Sequence, residues 1–229
     1  EILCYLYYYF FNIKKNNILI ISKGHCSELI YSILSDLKFF PKKWFEKHFA
    51  RNKFKLGHHI DKNIPGIEFS SGALGHGLPF ACGKALSSKK NKENKNIFVL
   101  MGDAEFCEGS NWEALLFAKQ FNLNNLFIIL DYNKIGSLDY LDNTSSLQPF
   151  DKKFKSFGLD VYFVKKGNNI DNIDKVFKKL KLSNNPKIII LNTIKGYGVK
   201  IFENHPIWHV KKVSNKDYQL ARKKLLKNL

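Results

Sequence analysis

Asn96 to Gly136 reads NIFVLMGDAEFCEGSNWEALLFAKQFNLNNLFIILDYNKIG, and its periodicity decides the fold. Ile97 to Met101 is an unbroken apolar run ending at Gly102-Asp103, the pattern of a parallel strand covered on both faces. Leu126 to Leu130 repeats the pattern and ends at Asp131-Tyr132-Asn133. Between them, Asn111 to Phe121 carries Trp112, Leu115, Leu116 and Ala118 at helical spacing, with Ser110 positioned to cap its start. The stretch predicts a βαβ unit, and with it an α/β fold: a mostly parallel sheet with helices on both faces.

In open α/β sheets, ligands collect beyond the carboxyl ends of the strands. Asp103 and Asn133, 30 residues apart, therefore belong side by side on that rim. Alone, each dipeptide would read as a strand-ending turn. Together with a carbonyl from Ile135 they offer three hard oxygen ligands, and Mg²⁺ takes about six at ~2.1 Å, drawing the rest from phosphate and water. The pattern implies a Mg²⁺-bridged diphosphate.

The 229 residues, 45% hydrophobic, are enough for one large domain. No apolar run reaches the ~18 residues of a membrane span. The aromatic opening, Ile2 to Ile13, reads as a buried helix or strand rather than a signal-peptide core. Cys4, Cys26, Cys82 and Cys107 show neither CxxC pairing nor disulfide-like spacing, so free thiols in a reducing cytoplasm are expected. Of the net charge of +17, the part from Asp151 onward carries +13, with 19 Lys+Arg against 6 Asp+Glu. Nucleic-acid binding fits poorly, because only Arg51 and Arg222 are arginines and base or phosphate forks favour Arg.

Upstream, Leu19 to Ser22 is a short strand run delivering Ser22-Lys23-Gly24-His25, followed by a helical stretch from Glu28 to Leu37. Pro41 to Lys55 is basic and aromatic, and the paired His58-His59 lacks a third ligand at metal-site spacing. Ser70 to Gly77 is a glycine-rich turn entering a helix from Leu78 to Ser87; it is neither GxxxxGK[ST] nor GxGxxG. Ser88 to Asn96 reads as a solvated connection and Gly136 to Phe150 as a polar loop. Val161 to Val164 reads as a strand, Asn172 to Leu182 as a basic amphipathic helix, Lys187 to Asn192 as the last strand and Ser214 to Leu229 as an exposed basic helix.

GDAEFCEGSNWEA followed by DYNKI resembles the signature of thiamine diphosphate enzymes, and of the transketolase branch in particular. SKGHCSELIYSIL is similar to the SKGHAAxALYAxL of split transketolases. GHHIDKNIPGIEFSSGALGHG resembles GHPD followed by PGxExSTGSLGQG, PKIIILNTIKGYG resembles PxxIxxxTxKGKG, and ENHPIWH resembles ENxxxWHG. The resemblance runs from Ser22 to His209, with departures at Ala104, His59, Ile60, His76, Tyr197 and Val210.

The resemblance implies Asp103, Asn133 and the Ile135 carbonyl as ligands of Mg²⁺ (or Ca²⁺ or Mn²⁺), with Gly102 and Ala104 beside the diphosphate. Gly72, Ala73 and Leu74 are implied to lie against the thiamine ring system. His25 and His209 would contact diphosphate and substrate, His58 would face the substrate, and Glu108 would join a network near the subunit contact. The implied fold is the diphosphate-binding domain over residues 1–210, with a basic helical tail over 211–229. The implied reaction moves a two-carbon ketol unit from a ketose phosphate to an aldose.

The glutamate that activates the cofactor belongs, in the family, to a pyrimidine-binding domain for which a chain stopping at Leu229 has no room. A separate pyrimidine-binding chain and a two-plus-two assembly are therefore expected, with no nucleic-acid or membrane partner. The family's opening GHxGGS-type motif has no counterpart, and the chain starts at Glu1, so a leader or first helix is expected to be missing. Two alternatives stay open: half of another thiamine diphosphate enzyme, such as a deoxyxylulose phosphate synthase or 2-oxo acid dehydrogenase, and a degenerate cofactor-binding module without turnover.

Overall fold

A computed structural model describes residues 1–11, 17–51, 56–145 and 147–227. The ends of the Ile2–Ile13 run, of the 41–55 stretch and of the C-terminal tail, together with Ser146 in the 136–150 loop, lie outside the described residues.

In chain order the elements are α1 (Ile2–Cys4), continuing as a π-helical turn (Tyr5–Phe10), β1 (Asn17–Ile21), α2 (Ser27–Asp36), α3 (Lys42–His48), α4 (Gly77–Lys90), β2 (Asn96–Gly102), α5 (Gly109–Gln120) and β3 (Leu126–Tyr132). There follow α6 (Leu141–Thr144), α7 (Phe150–Ser156), β4 (Asp160–Val164), α8 (Ile170–Phe177), β5 (Lys187–Asn192) and α9 (Asn215–Leu226). The five strands form one sheet in the order β1-β2-β3-β5-β4. Every pairing is parallel.

Alternation along each strand feeds two cores, one per face. Phe98 and Leu100 of β2, Ile129 of β3 and Ile189 and Leu191 of β5 pack with α1, α2 and α8. Ile97, Val99 and Met101, Ile128 and Leu130, and Ile188 and Ile190 pack with α4, α5 and α7. Each fully buried aliphatic side chain contributes about 1.5–3 kcal/mol, which is why these strands read as continuous apolar runs. No helix among the described residues is long and apolar enough to cross a membrane.

The βαβ unit stands as the sequence predicts, with Gly102 paired to Asp131 at the strand tips. Several local expectations need correction. α5 starts at Gly109 with Glu108 as N-cap and no side-chain cap. Ser110 instead donates its hydroxyl to the Gly75 carbonyl at 2.7 Å, because a tertiary acceptor competes with the helix end. α4 runs on to Lys90, three residues beyond the expected end, with Ser87 and Ser88 still inside it. α8 stops at Phe177, short of Leu182. The 136–150 loop contains α6 and an antiparallel bridge between Ile135 and Tyr140. α9 is capped by Ser214 and exposed apart from Ala221.

The glycines at the strand tips are there for lack of space. A Cβ on Gly77 would lie 2.9 Å from Ser22 Cα and closer still to the Ser22 side chain. One on Gly24 would meet the Ser71 backbone oxygen at 2.9 Å. Gly83, on the same helix as Gly77, has nothing within 4 Å. The pair makes a test in urea melts. Gly77→Ala should cost about 1–3 kcal/mol through overpacking, whereas Gly83→Ala should gain about 0.5–1 kcal/mol through helix propensity. Equal effects at the two positions would refute the close approach of α4 to β1.

Candidate functional site

The carboxyl ends of β1, β2, β3 and β5 open into a cleft of about 390 Å³. Hydrogen bonds that continue past the strands align the tips: Ser22 N–H donates to the Leu100 carbonyl at 2.9 Å, Asp103 N–H to the Asp131 carbonyl at 3.3 Å, and Thr193 N–H to the Tyr132 carbonyl at 3.1 Å.

Asp103 is 1% exposed. Its Oδ1 accepts from its neighbour Ala104 N–H at 2.8 Å, and Oδ2 accepts from Lys134 N–H at 2.5 Å. The second bond crosses from the tip of β2 to the turn after β3, a turn that Lys134 makes in the left-handed conformation at φ +67°. Burial pushes the Asp103 carboxyl up to about 6 against the pull of those two N–H donors. Asn133 Oδ1 accepts from Ile135 N–H at 3.0 Å.

Asp103, Asn133 and Ile135 all line the cleft, together with Gly102, Ala104, Leu74, Glu108, His25 and His209. The expected residues that do not line it are Gly72, Ala73 and His58. A Cβ on Gly72 would touch the His59 ring at 3.7 Å. His58 instead lies 5.3 Å from the Phe49 ring, with Nδ1 3.9 Å from Glu28.

Basic groups that sequence reading missed, Lys23 and Lys195, line the same cleft. Lys23 is ion-paired with Asp131, whose second oxygen accepts from the Thr193 hydroxyl. Burial would lower Lys23, but the Asp131 carboxylate outweighs it and holds the ammonium above its ordinary range. Asp131 is likewise held low by Lys23 and Thr193 in spite of burial. Lys195 Nζ sits 3.1 Å from His209 Nδ1, and the His209 ring is 5.4 Å from that of His25. Burial and Lys23 push His25 down to about 4, and burial and Lys195 lower His209, so both imidazoles are neutral near pH 7.

The donor set fits a divalent cation carrying a diphosphate. Among the described residues no cluster of three His, Cys, Asp or Glu forms a complete metal cage. A carboxylate, an amide oxygen and a carbonyl make a half-shell that hard cations complete with phosphate oxygens and water. Asp103 is a buried anion held only by N–H dipoles, so an added cation would compensate its charge. Lys195 and the two imidazoles face the same space as donors for phosphate oxygens. The missed Lys23 and Lys195 stand inside the SKGH and KGYG texts. Their only sequence signal was a cation at a strand tip, and Asp131 lies 108 residues from Lys23.

Comparison with known proteins agrees with this geometry. Residues 12–228 match the family described as transketolase, thiamine diphosphate binding domain. A protein of Actinobacillus succinogenes, named as one subunit of an apulose-4-phosphate transketolase, is 36% identical over 92% of this chain and 76% of its own length. The 6-deoxy-6-sulfo-D-fructose transketolase subunit SqwG of a Clostridium strain is 31% identical over 96% of this chain and 83% of its own. The crystal structure of transketolase from Campylobacter jejuni superposes with a TM-score of 0.83 at 26% identity, over 91% of this chain. This chain spans only about a third of that protein, 34%, and 31% of the human transketolase. With the fold, the strand-tip cleft and these likenesses in agreement, the chain belongs to the transketolase family, to its thiamine diphosphate-binding domain.

Proposed function

We propose that this chain is the diphosphate-binding half of a split transketolase, completed by a separate pyrimidine-binding chain and moving a two-carbon ketol unit between sugar phosphates. The observation that carries the reading is the Asp103–Lys134 bond, which holds two neighbouring strand tips so that Asp103, Asn133 and Ile135 face one cleft. The relatives named as subunits, aligned over most of their own length, support the split arrangement.

Asp103, Asn133 and the Ile135 carbonyl would hold Mg²⁺, with Ca²⁺ or Mn²⁺ as substitutes, and Gly102 and Ala104 would lie beside the diphosphate. Lys195, His25 and His209 would take its outer oxygens. The bound cofactor supplies the electron sink for breaking and making the bond beside a ketose carbonyl. This chain's own part is to orient substrate and to hold protons. The neutral rings of His25 and His209 can each donate one hydrogen bond and accept another, which suits sugar hydroxyls. Glu108, on the cleft wall, is proposed for the contact with a second copy in a two-plus-two assembly. His58, which does not line the cleft, would reach substrate only through a change of side-chain orientation. Residues 1–210 form the cofactor domain in this reading, with 211–229 as its tail, and the four free thiols fit a reducing cytoplasm.

Two measurements test it. In calorimetric titration, thiamine diphosphate should bind only with Mg²⁺ present and be released by a chelator. Asp103→Asn should abolish binding while the circular dichroism spectrum stays native, and unchanged affinity would sink the ligand assignment. Mixed with a pyrimidine-domain chain, cofactor, Mg²⁺ and a ketose phosphate, the protein should release aldose, and neither chain alone should do so. Turnover by this chain alone would overturn the split reading.

A further inference from the structure

Glu105 has no place in the chemistry above, yet it is 1% exposed at the centre of the strand tips. Its Oε1 accepts from the Ser22 hydroxyl and from Gly75 N–H at 3.1 Å, and its Oε2 faces Gly102 N–H at 3.4 Å. Its backbone carbonyl accepts from Asn111 Nδ2 at 2.7 Å, which ties it to α5 as well. Among the described residues it has no ion pair. A buried carboxylate without a cation is costly unless every donor around it is well placed, and packing alone would be served as well by a leucine. What the carboxylate provides is a three-way acceptor joining the end of β1, the glycine-rich turn and the end of β2.

The turn it holds is anchored on its carbonyl side by the Ser110 hydroxyl, which donates to the Gly75 carbonyl at 2.7 Å, and on its amide side by Glu105. Gly75 sits at φ +87°, and a Cβ there would lie 2.7 Å from Glu108 Cβ. Its amide is thus forced against α5, and its N–H finds Glu105. Gly102, the third donor, immediately precedes Asp103.

We infer that Glu105 is a positioning residue whose carboxylate locks the glycine-rich turn to the tips of β1 and β2, setting the distance between that turn and Asp103 before any ligand arrives. The consequence for binding rests on the cofactor reading; the locking itself does not.

The test uses Glu105→Gln, which keeps the shape but replaces the charged acceptor of Gly75 N–H by a weaker neutral amide oxygen and turns a donor toward Gly102 N–H, and Ser22→Ala, which removes one of the three donors. Amide hydrogen exchange of the whole chain, free of metal and cofactor, is followed in peptides covering 72–77 and, as reference, 126–132. In Glu105→Gln, exchange over 72–77 should quicken at least about ten-fold with 126–132 unchanged, and Ser22→Ala should move the same way by less. Thiamine diphosphate with Mg²⁺ should bind Glu105→Gln about ten- to a hundred-fold more weakly, the loss of one charge-assisted hydrogen bond. Unchanged exchange over 72–77, or equal quickening over 126–132, would overturn the lock. Local quickening with unaltered affinity would overturn its role in the seat. Should Glu105→Gln fail to fold, Ser22→Ala decides on the same two readings. If the unmodified protein does not bind the cofactor, the proposed function fails and the exchange measurement still decides the lock.

Discussion

The hydrogen bond from Lys134 N–H to Asp103 Oδ2 ties the end of β2 to the turn after β3, the two segments that carry the site. Parallel strands leave their last carbonyls and side chains at a common edge, but nothing in the ladder fixes the turns beyond it. Asp103 does so by reaching from the end of β2 to the turn after β3, and Asn133 fixes Ile135, two residues on, by accepting from its N–H. The cost is a carboxylate buried with dipoles as its only direct partners, which is why its affinity for protons is raised. The same uncompensated charge makes the position favourable for a cation: burial that penalises the bare carboxylate strengthens its hold on a counter-charge.

That arrangement depends on how closely the chain segments behind it approach. Ser22 fills the space that a side chain on Gly77 would take, Ser71 fills that beside Gly24, and Ser110 and Glu108 fill that beside Gly75. Small residues on both sides let three backbone segments meet where the hydrogen bonds of Glu105 can span them. Below this layer the two cores, one on each sheet face, keep β2 and β3 in register, so the tips cannot slide relative to each other.

The central unit was legible because buried parallel strands leave a strong trace: two apolar runs, each ending in an oxygen-bearing side chain, around a helical repeat. Strand order beyond the β2-β3 pair was not, since β1 joins the far side of β2, β5 inserts between β3 and β4, and an apolar run reads the same in any central position. Asp103, Asn133 and Ile135 were readable from spacing, whereas Lys23–Asp131–Thr193 and the Glu105 hub were not, because their partners come from different strands. His58 and His59 show the limit of motif text. On an irregular segment no periodicity says which way each side chain turns, and only tertiary packing, of His58 by Phe49 and of His59 by Gly72, decides it. Ser110 failed as a cap for a related reason: a short-range rule lost to the Gly75 carbonyl that the fold brought beside it.

The chain's charge of +17 takes on meaning only when divided by place. Beside the cleft, Lys23 and Asp131 cancel as a half-buried ion pair, and neither is free to recruit a ligand. Lys195 is turned toward a neutral imidazole rather than a carboxylate, so its charge is offered to the cleft. Asp103 lines the same cleft. A cleft lined by both an ammonium and a buried carboxylate matches a ligand that presents both charges, an anion already carrying its metal. Most of the surplus lysines lie on exposed elements such as α9, where they raise the potential that draws phosphorylated molecules toward the surface without selecting among them. Selection falls to the few groups at the strand tips, whose positions are set by backbone hydrogen bonds.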